Sequence, residues 1–390
     1  MLLSRRQIIA SAGSATLLGC APMQLGAPPI EGRRFEGAQI SAGANRPGLP
    51  MRDGYDTLLA HLFLRIPAEQ SARLLGLTAA QRDERIAALV QERLARRLAN
   101  GEVRPTALVA SDREVSRYLR VHPGVVRATA DAVEAALPEV RRRYDELPGF
   151  AHLPFEDASL LILSNVLLDN WQIDRVEAEF LRAERPLRGG GRYYYSVLEV
   201  RPNTSVERYG IYGNHSESVG PATISLYGNQ RYAGPTNLVT LSRNDFVQLF
   251  GFPEGTEVSE AQAVLAGDLL RRWRDPTAAT PEARENGLRA LRLIDGAGRV
   301  AIPILAAEDE RGLNEMAAAF APTLLSILEG HRAELMRQYR ASPYAADGVS
   351  FLEYTIWWYH FYYTAATDLL AERGHIRMPP ASTMTYLFMG

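Results

Sequence analysis

Apolar residues recur along this chain at helical spacing in several long stretches and at alternate positions in a few short ones. Over 79–98, Ile86, Leu89, Val90 and Leu94 share one face and predict an amphipathic helix. Long charged helices are expected over 125–146 and 313–339. Each leads into a very apolar helix, over 156–181 and 350–373, the second closed by Gly374. Thr280-Pro281-Glu282 reads as a helix start, with Thr280 as cap and proline at the first helical position. Strand-like runs rich in tyrosine and β-branched residues fill 192–242, at 193–195, 206–212, 222–227 and 238–241, and one more lies over 383–389. Asn100-Gly101 and Asp295-Gly296 supply hairpin turns that need positive φ.

The same order of elements occurs twice. Arg97, Leu98 and Gly101 align with Arg292, Leu293 and Gly296 at an offset of about 195, and RRRYDELP aligns with MRQYRASP. After a one-residue shift, Phe155, Asp157, Ser159 and Ser164 align with Phe351, Glu353, Thr355 and His360. The pattern therefore predicts an α+β fold. It consists of two duplicated, mainly helical modules over 52–200 and 244–390, each with a short β-hairpin and long helices, around a central antiparallel β-rich insertion over 201–243. Helix, helix and hairpin in that order resemble a winged helix-turn-helix.

Residues 1–20, MLLSRRQIIASAGSATLLGC, place a basic pair, a short apolar run and a Gly-Cys end in succession. Leu17-Leu18-Gly19-Cys20 resembles the bacterial lipobox, and Ser4-Arg5-Arg6-Gln7-Ile8-Ile9 is similar to a twin-arginine export signal. The resemblance implies a lipoprotein with acylated Cys20, a membrane partner through that lipid, and a place in the cell envelope. Ala21 after the cysteine implies the outer membrane, facing the periplasm, in a Gram-negative host. Residues 21–51, with APPIEG and SAGANRPGLP, are expected to be a flexible tether.

Composition narrows the chemistry. With 390 residues and 46% hydrophobic content, the chain can build substantial cores. All 43 basic residues are arginine, so Schiff-base lysines and phosphate-loop lysines are absent. Cys20 is the one cysteine, which leaves the rest of the chain without a disulfide or a thiolate. The net charge of −2 lacks the basic footprint of a nucleic-acid reader. DNA binding is thus an alternative only if the leader is misread.

The polar residues worth following lie in the apolar helices and the tyrosine-rich segment. Glu353, His360, Thr364 and Thr367 share a helical face, and Asp157 aligns with Glu353. If the modules pack about a pseudo-twofold axis, Asp157, Glu353 and His360 could converge, for acid–base hydrolysis or a hard metal. The bland alternative is that they anchor helix packing. Asp169, Tyr212, His215 and Tyr227 are the binding candidates, the tyrosines forming either one packed face of a meander or a recognition surface. No zinc spacing, phosphate loop or GxSxG motif occurs, and no cofactor is indicated. The leading expectation is a non-enzymatic envelope protein that binds a protein or small ligand where the modules meet.

Overall fold

The computed structural model describes residues 30–41, 45–200, 211–220, 222–229 and 237–389. The leader with Cys20, part of the tether and most of the strand expected over 206–212 lie outside these residues. Residues 30–33 belong with the leader's unit and close a turn, Arg33 N donating to Ile30 O at 3.2 Å. All that follows concerns the second unit, from Arg34 onward.

Where a tether was expected, the chain forms strand β1 (Arg34–Ser41). Gly37 makes this possible. Its N–H donates to Asp56 Oδ2 at 3.0 Å, and a Cβ there would sit 2.0 Å from the Tyr195 hydroxyl oxygen. Helices α1 (Asp56–Phe63), α2 (Ala68–Leu74) and α3 (Ala79–Gln91) follow. α3 opens on a capping box in which Thr78 and Gln81 satisfy each other's backbone N–H. It ends well short of the expected 98, because Arg93 turns left-handed (φ 62°) and Leu94 N closes onto Leu89 O at 2.9 Å. The freed residues make the hairpin β2 (Ala95–Arg97) and β3 (Val103–Pro105), with Gly101 at φ 86°.

Strand β4 (Leu108–Ala110), α4 (Asp112–Arg117) and α5 (Pro123–Tyr144) come next. The apolar helix expected over 156–181 is broken. α6 (Phe155–Leu160) widens into π turns over Leu161–Val166, and α7 (Ile173–Arg175) does the same over Val176–Leu181. At the break the Asn165 side chain replaces a helical carbonyl, its Oδ1 accepting from Asn170 N at 3.4 Å. Strands β5 (Leu187–Arg188) and β6 (Gly191–Val200) follow, then β7 (Tyr212–Val219) and β8 (Ala222–Asn229). The strand expected over 238–241 is a turn, with Asn237 Oδ1 accepting from Val239 N and Thr240 N.

The remaining elements are α8 (Arg243–Phe250), α9 (Val258–Arg274), α10 (Glu282–Ala290), β9 (Ile304–Leu305), α11 (Ala307–Arg340), α12 (Pro343–Asp347), α13 (Phe351–Glu372) and β10 (Thr383–Met389). α10 begins one residue later than expected, with Pro281 in the capping position. In the turn after it, Gly298 rather than Gly296 takes positive φ (81°), while Asp295 Oδ1 accepts from Ala297 N and Arg299 N.

The class is α+β. One sheet has the order β1-β6-β4, with β5 also on β6, and the other β7-β8-β10-β9. β1 and β6 pair antiparallel from Arg34↔Val200 to Ser41↔Tyr193. In each sheet a short strand runs parallel to a long one, β4 to β6 and β9 to β10. The β7–β8 hairpin is not a free-standing insertion, since β8 pairs along the whole of β10.

Helix α13 is buried on all sides, as a helix apolar around its circumference must be. Its N-terminal half meets the first sheet through Glu353, and Tyr363 and Thr364 meet β7 of the second. The halves also grip each other reciprocally. Gly149 N donates to Asp309 Oδ1 at 2.8 Å, and the Tyr344 hydroxyl donates to Val109 O at 2.7 Å. A further core under the second sheet joins Phe246, Leu265 and Leu269 to Ile224 and Leu387.

Candidate functional site

Asp157, Glu353 and His360 do not share a centre. Asp157 is a surface residue whose Oδ1 accepts from Arg377 Nη1 at 2.6 Å. Glu353 lies in the core, placed there by its position one turn into α13 against β6. Its Oε1 accepts from Tyr195 N (2.8 Å) and Trp357 Nε1 (3.2 Å), and its Oε2 from Arg188 Nη2 (2.9 Å). Burial pushes this carboxyl up, while the Arg188 guanidinium and these donors pull it down. Arg188 is equally enclosed and spends its other N–H groups on Arg93 O, Tyr193 O and Thr106 Oγ1. A fully satisfied pair of this kind holds the fold and presents nothing to a substrate.

His360 sits between Trp357 and Tyr363, ring centroids 5.3 and 5.0 Å away. Its Nδ1 donates to Ile356 O at 2.8 Å, and burial lowers its pKa to about 4. Glu353 and His360 are placed as packing anchors of the core, whereas Asp157 makes an ion pair at the surface. Among the described residues no three His, Cys, Asp or Glu side chains gather into a metal-binding set.

The binding candidates divide. His215 is exposed on β7, its Nε2 paired with Glu217 Oε1 at 3.1 Å. Tyr212 and Tyr227 are buried and stacked, with centroids 6.3 Å apart at 27°, so they form a packed layer and no open surface. Beneath the second sheet the hydroxyls join a polar layer. Ser164 Oγ bonds Tyr227 Oη at 2.5 Å and Thr367 Oγ1 at 2.6 Å, and the Tyr363 hydroxyl donates to Tyr212 O at 2.6 Å. Asp169 lies in the same layer. Burial pushes its carboxyl well above the usual carboxylate range, against the pull of the Tyr363 and Tyr227 hydroxyls. Its Oδ2 has no hydrogen-bond partner among the described residues.

A cleft of about 540 Å³ lies between the second sheet, the segment around α7 and the start of α11, lined among others by Asp174, Glu179 and Glu310. Its floor is Asn214 and Ser216 of β7 with Tyr386 and Phe388 of β10, neighbours because β7, β8 and β10 are adjacent strands. Asn214 Oδ1 accepts from the Tyr386 hydroxyl, Asn214 Nδ2 donates to Ser216 Oγ (3.0 Å), and Asn165 Nδ2 donates to Tyr386 Oη (3.3 Å). These side chains are held by one another, so a ligand would meet a floor already in place. One wall carries Asn170, Trp171 and Arg175, the other Glu310 and Asn314. Arg175 spans the two, donating to Trp171 O and, at 3.5 Å, to Asn314 O.

Asn170 and Asn214 adjoin the candidates Asp169 and His215 in the chain, but nothing in the sequence brings Asn314 and Tyr386 to them. That needs the pairing of β10 with β8 and the direction of α11. Comparison with protein-family models, with curated proteins and with solved structures finds no match. Among the described residues no helix is long and apolar enough to cross a membrane.

Proposed function

We propose that the chain is a binding protein of the bacterial cell envelope, tethered by lipid at Cys20. It takes a small polar ligand, without transforming it, into the cleft over β7 and β10. The observation that carries this reading is the preorganised floor of Asn214, Ser216 and Tyr386, set between two walls of different chain origin. A volume of about 540 Å³ lies within the range of small-molecule sites, roughly 300–1,000 Å³. The acid–base alternative loses its support once Asp157 is found on Arg377 and Glu353 on Arg188.

Crystallographic soaking with a library of small polar fragments tests the site without assuming a ligand class. Fragments are expected to collect on Asn214 and Tyr386; collection elsewhere, with this cleft empty, would overturn the assignment. Intact-mass analysis and fractionation test the anchor. Acylated Cys20 in the membrane fraction is expected, and Cys20→Ser should release the protein. A chain that keeps Met1 and stays in the cytosol would end the envelope reading.

A further inference from the structure

Helix α11 packs on α5 and α13 along an apolar stripe that a histidine interrupts. Leu324, Leu328 and Leu335 are buried along that stripe, and His331 falls at helical spacing between the last two. Its half-buried ring stacks on Trp358 of α13, centroids 5.9 Å apart at 15°, and Trp358 in turn stacks on Tyr362 at 5.4 Å. A second imidazole lies beside it: His122, the residue that caps α5, with ring centroids 6.1 Å apart. We propose that His122 and His331 form an acid-operated catch, which when neutral lets α11 close on α5 and α13 and when protonated parts it from them. This does not depend on the cleft.

Three features suit the closed arrangement to neutral rings. His331 Nε2 is buried with no hydrogen-bond partner among the described residues, and so is Trp358 Nε1 in the same stack. An imidazolium carries two N–H donors, so a proton at Nε2 would leave one of them buried and unpaired. Next, the charges that act on His331 are those of His122 and Arg337, both of cationic type. The carboxylates nearby are occupied: Glu329 by Arg332, Glu334 by Arg337 and Gln338, and on α5 Asp131 and Glu134 by Arg373. From α13 come only Trp358 and the Tyr362 phenol, which is bonded to Thr129 Oγ1. Burial, His122 and Arg337 together hold the His331 ring below the ordinary histidine value of 6.5.

The third feature is the cap. His122 Nδ1 accepts from Gly124 N at 3.0 Å. A proton on that nitrogen would delete the cap and set a positive charge at the positive end of the α5 dipole. Only the face of Trp358 favours a cation, one contact against three opposing effects. Acid then works through linkage. Where α11 has lifted, His331 is hydrated and takes its proton near 6.5; where α11 is closed, it does so only in stronger acid. Falling pH therefore favours the open arrangement, by about tenfold for each unit between the two values.

The test is an NMR titration of the full chain labelled at histidine, joined to amide exchange over 324–340 at about pH 7.5 and about pH 5, corrected for the intrinsic effect of pH. His331 is expected to titrate below 6.5, and its midpoint should rise in His122→Gln, where the neighbouring charge is gone. Exchange over 324–340 should quicken about tenfold or more in acid in the parent. It should quicken distinctly less in His331→Gln, which keeps His61 and His360 and so shares their response to acid. A His331 midpoint at or above 6.5 would overturn the proposal, as would one unmoved by His122→Gln or an equal acid response in parent and His331→Gln. Should His331→Gln fail to fold, the midpoints in the parent and in His122→Gln still decide.

Discussion

Tyr144 and Tyr339 occupy matching positions in the two halves of the chain. Tyr144 donates its hydroxyl to Leu153 O at 2.9 Å and packs edge-on against Phe155, with centroids 5.2 Å apart. Tyr339 donates to Val349 O at 2.8 Å and packs on Phe351 at 5.3 Å. Each accepting carbonyl lies two residues before the phenylalanine, and each tyrosine ends a long helix. Duplication of one ancestral unit is our proposed reading of these pairs. It implies that Tyr144→Phe and Tyr339→Phe remove the same interaction. Each should cost about 0.5–1.5 kcal/mol in urea denaturation. A loss confined to one of the two would show that the settings differ energetically.

The Arg188–Glu353 pair predicts a larger effect. Glu353→Gln or Arg188→Met leaves one buried charge without its partner and should destabilise by about 3–5 kcal/mol. The double variant, Arg188→Met with Glu353→Gln, should lose less than the sum of the two. Additive losses in a double-mutant cycle would mean that the two side chains act independently.

His360 makes stability depend on pH. Its folded pKa is about 4 against an ordinary 6.5, so the unfolded chain takes up the proton first. Its contribution is complete above pH 6.5 and is lost as pH falls towards 4, by about 3 kcal/mol at most, since one pKa unit is worth about 1.4 kcal/mol. His61, lowered to about 4 by burial, acts in the same direction. Asp169 and Glu353, both raised, act oppositely: their share is present at low pH and is lost as pH rises through their folded values. The comparison is therefore between parent and His360→Gln over pH 4–7. The variant's stability should fall less steeply with acid; an unchanged slope would mean that His360 is not protonated on unfolding.

Gly37 should tolerate no side chain. A methyl group would be forced onto the Tyr195 hydroxyl, which is itself held by Asp56 Oδ1 at 2.7 Å. Gly37→Ala is expected to cost about 1–3 kcal/mol and to speed amide exchange along β1. Adding Gly37→Ala to Tyr195→Phe should cost less than adding it to the parent. An equal cost would show that the hydroxyl is not the obstacle.

The long helices were legible because each carries many turns of one period. α5, α11 and α13 lie close to the stretches that predicted them, and β10 fills its stretch. Short elements were not, and tertiary contacts decided them. β1 has little apolar alternation and owes its place to β6 and to Asp56. The end of α3 turns on one left-handed arginine, a conformation that residue type does not announce. At the site, Glu353 and His360 were visible as polar groups that had to be satisfied inside an apolar helix. Their partners were not, because Arg188 and Tyr195 lie far away in sequence. Asp157 was drawn to Glu353 by alignment alone, and alignment does not say which of two matched carboxylates faces solvent.

The way each half holds the other bears on how the molecule is made. Arg188 is synthesised long before Glu353, so the early part of a growing chain carries a cation whose enclosing wall does not yet exist. Until α13 emerges from the ribosome, the first sheet lacks its cover and the second lacks β10. Closure of both sheets must therefore wait for α13 and β10, however early the first strands are made.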